Sequence, residues 1–276
     1  MARDQLSKIA YKTLQQGKSI AGLAHKELST RIMNFILPDN KLSNFNIDKK
    51  LLIDIQNSMD LLREEDWNDA EKNYYPTKLL FDEPWLSYLR QYPKVWLDMP
   101  NTWERRRKQN YQDLPKNIDN ENYPKYYLRN FHHQTDGYLS DFSASIYDLQ
   151  VEILFNGSAD AMRRRIIKPL KKGLNNFSTR KKSSLKILDV ATGSGRTLKQ
   201  LRSAFPKEKI VGLDLSGSYL KEASRFISNL DGELIELMQG NAEELPFKNS
   251  SIQGITCVYL FHELPRTVRE KVLKEF

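Results

Sequence analysis

The sequence predicts an α/β protein, an open parallel sheet of the doubly wound kind preceded by a mostly helical region. Three observations predict it. Residues 187–190 form a short apolar run of strand length, and a turn of small residues, Ala191, Thr192, Gly193, Ser194 and Gly195, follows at once. A second apolar run, 210–215, carries Asp214 about twenty positions after those glycines. Upstream, the apolar residues recur at spacings of three, four and seven, which is the helical period. A strand, a glycine turn, a helix and a strand closing on a carboxylate is how open α/β sheets hold an adenosine nucleoside. Residues 186–215 therefore read as a cofactor half-site.

The remaining elements follow in order. Leu6, Ile9, Ala10, Leu14, Ala21, Ala24, Leu28, Ile32, Phe35 and Ile36 mark a first helix, which Gly17 and Gly22 are expected to interrupt and Pro38 to end. His25 shares the face of Leu28 and Ile32 and reads as structural. A second helix runs over 51–65, with Leu52, Ile55, Met59 and Leu62 on one face. From Trp67 to Tyr127 aromatics alternate with prolines, which are expected to limit helices to short pieces. Those aromatics either pack short helices together or, interleaved with Arg105, Arg106, Arg107 and Lys108, stack on bases. Residues 147–174 read as one or two helices with a break at Asn156 and Gly157. The division expected is a helical amino-terminal extension or substrate-side cap over 1–150 and a nucleoside-binding domain over 151–276.

Composition narrows the function classes. With 276 residues, 39% apolar, 28% charged and 11% aromatic, the chain is an ordinary soluble globular protein of one or two domains. No run approaches the ~20 apolar residues that span a bilayer, and the charged amino terminus lacks a signal peptide's apolar core. A reducing cytoplasmic compartment is the simplest reading, and the single Cys257, inside an apolar run, reads as a core cysteine. The net charge of +8 is concentrated in Arg163, Arg164, Arg165, Lys168, Lys171, Lys172, Arg180, Lys181, Lys182 and Lys186. This basic stripe is either a solvated helix face or a surface for nucleic acid or an anionic membrane.

Residues 131–147 are dense in reactive side chains: His132, His133, Asp136, Tyr138, Ser140 and Asp141, on a loop marked by Gly137. A metal site fails there on numbers, because the remaining histidines are His25 and His262 and adjacent histidines are rarely both ligands. No metal is expected. A wall or lid over the cofactor, or a satisfied polar loop, are the alternatives.

The glycine turn alone is a weak signal. A phosphate-cradling loop would need lysine and then serine or threonine after its second glycine, where this chain has Arg196 and Thr197. A dinucleotide site would want glycine or alanine at Leu198. What remains is a site for a nucleoside without a pyrophosphate. Here the sequence resembles the class I S-adenosylmethionine-dependent methyltransferases of the type 11-like group, especially the branch with quinone-biosynthesis and small-molecule enzymes. The resemblance runs from Leu185 to the end. It rests on Asp189, Ala191, Gly193 and Gly195 in the first motif, Asp214 closing the second strand, residues 240–247 as the loop after the third, and residues 255–265 as the fourth strand and its exit. Residues 132–140 and 147–155 further resemble uncharacterised cyanobacterial and plastid methyltransferases with a helical extension.

The resemblance implies a Rossmann-like sheet and S-adenosylmethionine as cofactor. Gly193 and Gly195 would let backbone approach its methionine part, Asp189 would attract its ammonium, and Asp214 would take both ribose hydroxyls. Asn241 and Ala242 would meet the adenine edge, with Thr192, Ser194, Arg196, Leu215 and Glu243 completing the wall. Ala191 stands where the family often has glycine, and alanine is expected to exclude an easy positive φ. Methyl transfer chiefly needs alignment and exclusion of water. His262 and Glu263, leaving the fourth strand at its carboxyl end, are the candidates for general base or acceptor orientation, faced by His133 and Tyr138. The plainer alternative for His262 is a helix-entry residue. The resembled fold has seven strands, and the sequence ends in the helix after the fourth, so the domain is expected to be incomplete at its carboxyl terminus and this chain to be a fragment. The function expected is methyl transfer to a small aromatic or lipid-like acceptor. The alternative is an RNA-directed methyltransferase, or a noncatalytic cofactor-binding module, using the stripe 163–182.

Overall fold

The structure, a computed structural model, describes residues 2–37, 48–116, 118, 120–177 and 185–276. Two compact units are present: Met1–Arg107 with Leu149–Arg165, and Lys108–Asp148 with Ile166–Phe276. Among the described residues no helix is long and apolar enough to cross a membrane.

The first unit is helical. α1 (Ala2–Ile36) runs through Gly17 and Gly22 without a break, because a single glycine costs a helix only about 1 kcal/mol. Gly22 has a packing role, since a Cβ there would meet Asn156 Cα at 3.1 Å. Gly17 has none, and nothing lies within 4 Å of its ideal Cβ. Gly17→Ala is therefore expected to raise the stability of this unit by about 0.5–1 kcal/mol, read as a higher urea midpoint. α2 (Lys49–Glu71) is capped by Asp48, whose side chain accepts the Lys50 N–H. α3 (Trp85–Lys108) contains Pro93 and Pro100, contrary to the short pieces expected. Both prolines are on its exposed face, where water can take the carbonyl that each leaves without a donor.

The buried face of these helices is not the apolar stripe. Tyr11, Gln15, Gly22, His25 and Met33 point inward from α1, whereas Leu6, Ile9, Leu28, Phe35 and Ile36 are exposed. The reason is a buried ionic network. Arg164, on α5 (Ala159–Arg164), grips Asp66 through Nε (2.8 Å) and Nη2 (2.6 Å). The Tyr11 and Tyr75 hydroxyls each donate to the same carboxylate at 2.6 Å. The same kind of contact takes three arginines out of the basic stripe. Arg163 and Arg164 are buried, Arg163 pairs with Asp160 at 2.9 Å, and Arg165 pairs with Asp69 and Glu65 at 2.7 and 2.8 Å. These three arginines are spent on carboxylates and do not form a free basic surface. Arg180, Lys181 and Lys182 lie outside the described residues. The buried Trp67 and Tyr75 favour helix packing over base stacking for this aromatic region.

The second unit carries the sheet: β1 (Lys186–Val190), β2 (Lys209–Asp214), β3 (Glu236–Gln239) and β4 (Gly254–Cys257), all parallel, in the order β3-β2-β1-β4. α6 (Ile167–Leu174), α7 (Arg196–Ala204), α8 (Gly217–Ile227) and α9 (Arg266–Glu275) accompany it, with α4 (Asp141–Leu154) preceding α5 in the chain. Ile187, Leu188 and Val190 are fully buried, as strands covered on both faces require. After β1 the chain builds β2 and β3 to one side and then returns to the other for β4. That reversal leaves a crevice beyond the carboxyl ends of the strands, where such sheets bind ligands. Cys257 closes β4 half-buried; burial, and then the nearby Asp189 charge, push its thiol up to about 12.

Candidate functional site

The loop after β1 shapes the crevice floor. Ala191 adopts φ 57°, the left-handed conformation that its lack of a glycine hydrogen was expected to exclude. Gly193 follows at φ 57° and Gly195 at φ 87°. The two glycines differ in purpose. A Cβ on Gly193 would meet nothing nearer than Tyr219 Cδ1 at 4.0 Å, so the backbone there is open to the cavity. A Cβ on Gly195 would come within 3.2 Å of Ala223 Cβ and 3.3 Å of Ile227 Cγ2. Gly195 thus lets α7 start against α8, and it is not among the residues lining the cavity described below. Gly195→Ala should cost about 1–3 kcal/mol from strain and crowding, seen as a lowered melting temperature.

Asp214 ends β2 at the centre of the crevice. Its Oδ2 accepts the Gly193 N–H and its Oδ1 the Ser216 N–H, both at 2.8 Å. Burial raises its carboxyl pKa, against the pull of these backbone donors and that of Leu215. Asp189 is different. It is 1% exposed, and its two oxygens take the Thr192 and Thr256 hydroxyls at 2.8 and 2.6 Å. It holds the first loop to β4 and does not line the cavity.

The cavity above these strands holds roughly 800 Å³ free of protein atoms, part of it open to solvent. Every strand supplies the turn at its carboxyl end: Ala191 and Gly193, Asp214 and Leu215, Gly240 with Asn241 and Ala242, and Val258 with Tyr259 and Leu260. Tyr126, Tyr127, Phe131, Tyr138, Tyr147 and Tyr219 form the remaining aromatic wall. The segment bearing most of them is anchored to the sheet by named bonds. The Ser216 hydroxyl donates to Tyr138 O at 2.6 Å, the Tyr126 hydroxyl to Glu243 at 2.8 Å, and the Ser194 hydroxyl to Asp148 at 2.6 Å.

Of the sequence-derived cofactor residues, Ala191, Gly193, Asp214, Leu215, Asn241 and Ala242 line the cavity. Thr192, Ser194 and Arg196 are buried off it, and Glu243 is taken up by Tyr126 and by Lys271 at 3.3 Å. Of the catalytic candidates, Glu263 and Tyr138 line it, and the Tyr138 hydroxyl donates to Glu263 Oε1 at 2.9 Å. His133 turns away and stacks on Tyr111 at 4.6 Å. Its neighbour His132 takes the expected place, with Nε2 at 2.8 Å from Glu263 Oε1, and His262 Nε2 lies 3.2 Å from the same oxygen. Burial pushes the Glu263 carboxyl up, but His132, Tyr138 and His262 outweigh it and hold it below the usual range. The hydrogen bond to Glu263 raises His132 in turn. The sequence reading missed Tyr126, Tyr127, Phe131, Tyr147 and Tyr219; their one signal was aromatic density around the reactive loop.

Residues 187–276 match the family model described as a methyltransferase domain. This region is thus similar to methyltransferase domains. A demethylmenaquinone methyltransferase of Thermotoga maritima is 32% identical over 137 residues, covering 50% of this chain and 53% of that protein. The uncharacterized methyltransferase YcgJ of Bacillus subtilis is 34% identical over 95 residues, 33% of this chain and 37% of its own. The crystal structure of the YcgJ protein is 28% identical over 37% of this chain and 42% of that one, with a TM-score of 0.30. The chain thus spans about half, or less, of the length of the curated relatives it matches.

Proposed function

We propose that this chain binds S-adenosylmethionine in the cavity at the carboxyl ends of the strands and transfers its methyl group to a small aromatic, quinone-type acceptor. The observation that carries the reading is Asp214, a buried carboxylate in the cavity wall with both oxygens already oriented by backbone N–H groups. Such a group suits the two hydroxyls of a ribose, which would also favour its ionised form. The residues present fit the cofactor. Gly193 leaves open backbone beside Asp214, Leu213 and Leu215 supply apolar surface, and Asn241 and Ala242 supply the edge for a purine.

When bound, the cofactor supplies an electrophilic methyl on a sulfonium. The chain's own residues hold the acceptor in line and keep water out. Aromatic faces suit both a flat acceptor and the neighbouring cation. Glu263, with His132 and His262 against it, receives the proton that an acceptor hydroxyl or enol gives up. Tyr138 holds that carboxylate toward the cavity. The quinone class is supported by the aromatic wall together with the demethylmenaquinone methyltransferases among the relatives.

Calorimetric titration with S-adenosylhomocysteine should show one site with a Kd of about 100 µM or tighter. A reduced naphthoquinone should then accept labelled methyl. Absence of cofactor binding would sink the reading, and binding without transfer to any hydroquinone would remove the acceptor class.

A further inference from the structure

Glu263, His132 and His262 meet at the cavity rim, and we infer that they form a site for one divalent transition-metal ion of the zinc type. Each offers one ligand atom, and the three atoms lie within 4.8 Å of one another. Bonds of about 2.0–2.2 Å to zinc place tetrahedral neighbours about 3.3 Å apart. The Glu263 oxygen is already at 2.8 and 3.2 Å from the two imidazole nitrogens. Only the separation of the imidazoles needs to close, and both side chains, 55% and 53% exposed, have room to swing.

A second observation points the same way. The Tyr138 hydroxyl donates to Glu263 Oε1 at 2.9 Å, and His132 Nε2 and His262 Nε2 lie 2.8 and 3.2 Å from the same oxygen. A cation there takes the Nε2 lone pairs of the two neutral imidazoles and a lone pair of the carboxylate. The Tyr138 hydroxyl keeps its bond to Glu263 as the partner that orients a liganding carboxylate. His132 is set there by backbone in the left-handed region, φ 52°, and His133 beside it by φ 60°. Such strain is held where surrounding contacts fix it.

Two histidines and a carboxylate leave at least one coordination position open. Glu263 lines the cavity, so that position is available to water or to an anionic oxygen of a molecule within it. The inference needs neither cofactor nor methyl transfer, and its failure is therefore distinguishable from failure of the functional reading.

The test is a titration of the untagged chain with Zn²⁺ against a chromophoric chelator. One equivalent should bind, and His132→Ala, His262→Ala and Glu263→Gln should each weaken it by roughly tenfold or more. His133→Gln should leave it within about threefold, because that side chain stacks on Tyr111. Should the variants fail to fold, Co²⁺ added to the unaltered chain should give the visible bands of a four- or five-coordinate site. A site weaker than about 100 µM, affinity unchanged in His132→Ala and His262→Ala, or an octahedral aqueous Co²⁺ spectrum would each overturn the inference.

Discussion

Asp214→Ala is expected to weaken S-adenosylhomocysteine binding by about 30- to 150-fold, the loss of roughly 2–3 kcal/mol from hydrogen bonds to a charged acceptor. The same carboxylate holds the Gly193 and Ser216 N–H groups. Alanine therefore also loosens the loop that shapes the site, at a stability cost of about 1–3 kcal/mol for each buried donor left unpaired. Asp214→Asn is milder. It keeps the size and one acceptor oxygen, but its NH2 faces the other backbone N–H, so melting should fall by the cost of one unpaired donor, about 1–3 kcal/mol, with the dichroism retained, while affinity falls because the charge is gone. An affinity within about threefold of the parent, in a variant with native dichroism, would remove Asp214 from the cofactor site.

Asp66→Ala is expected to destabilise the helical unit by about 3–5 kcal/mol, because it leaves the Arg164 guanidinium buried without its counter-charge. Asp66 is fully buried and Arg164 is 3% exposed, so solvent cannot take over the role. The substitution also strips the acceptor from Tyr11 on α1 and one of two acceptors from Tyr75, which keeps the Asp66 carbonyl at 2.8 Å. With whole-domain stabilities of about 5–15 kcal/mol, this is a large fraction. The chain reports it cleanly, since its tryptophans, Trp67, Trp85, Trp96 and Trp103, all belong to this unit. Urea unfolding followed by tryptophan emission should show an early midpoint. An unchanged midpoint would mean that the network adds nothing beyond packing.

The sheet was legible because its signals are local. The apolar run of β1, the turn from Ala191 to Gly195 and the carboxylate of Asp214 act within a few residues or across neighbouring parallel strands. The crevice end then follows from the rule that ligands sit at the carboxyl edge. The helical unit was read less well. Periodicity in α1 and α2 marks helices, yet it cannot say which face is buried when arginines and aspartates bury each other. Arg163 and Arg164 look like a surface in sequence and become core because Asp160 and Asp66 meet them, and the half-buried Arg165 is paired with Asp69.

The reactive side chains show the same divide. The sequence by itself determined that a carboxylate-tipped strand follows a glycine turn, and so which backbone faces the cavity. It also placed Glu263 and Tyr138 among the reactive groups. The tertiary structure alone decided that His132 and not His133 turns toward Glu263. A left-handed residue reverses the side-chain direction within one position, and no pattern of residue types records that reversal. It also decided that His262, some 130 residues later, closes on the same oxygen. The fold of this unit brings the exit of β4 to the loop of residues 131–140, which precedes α4.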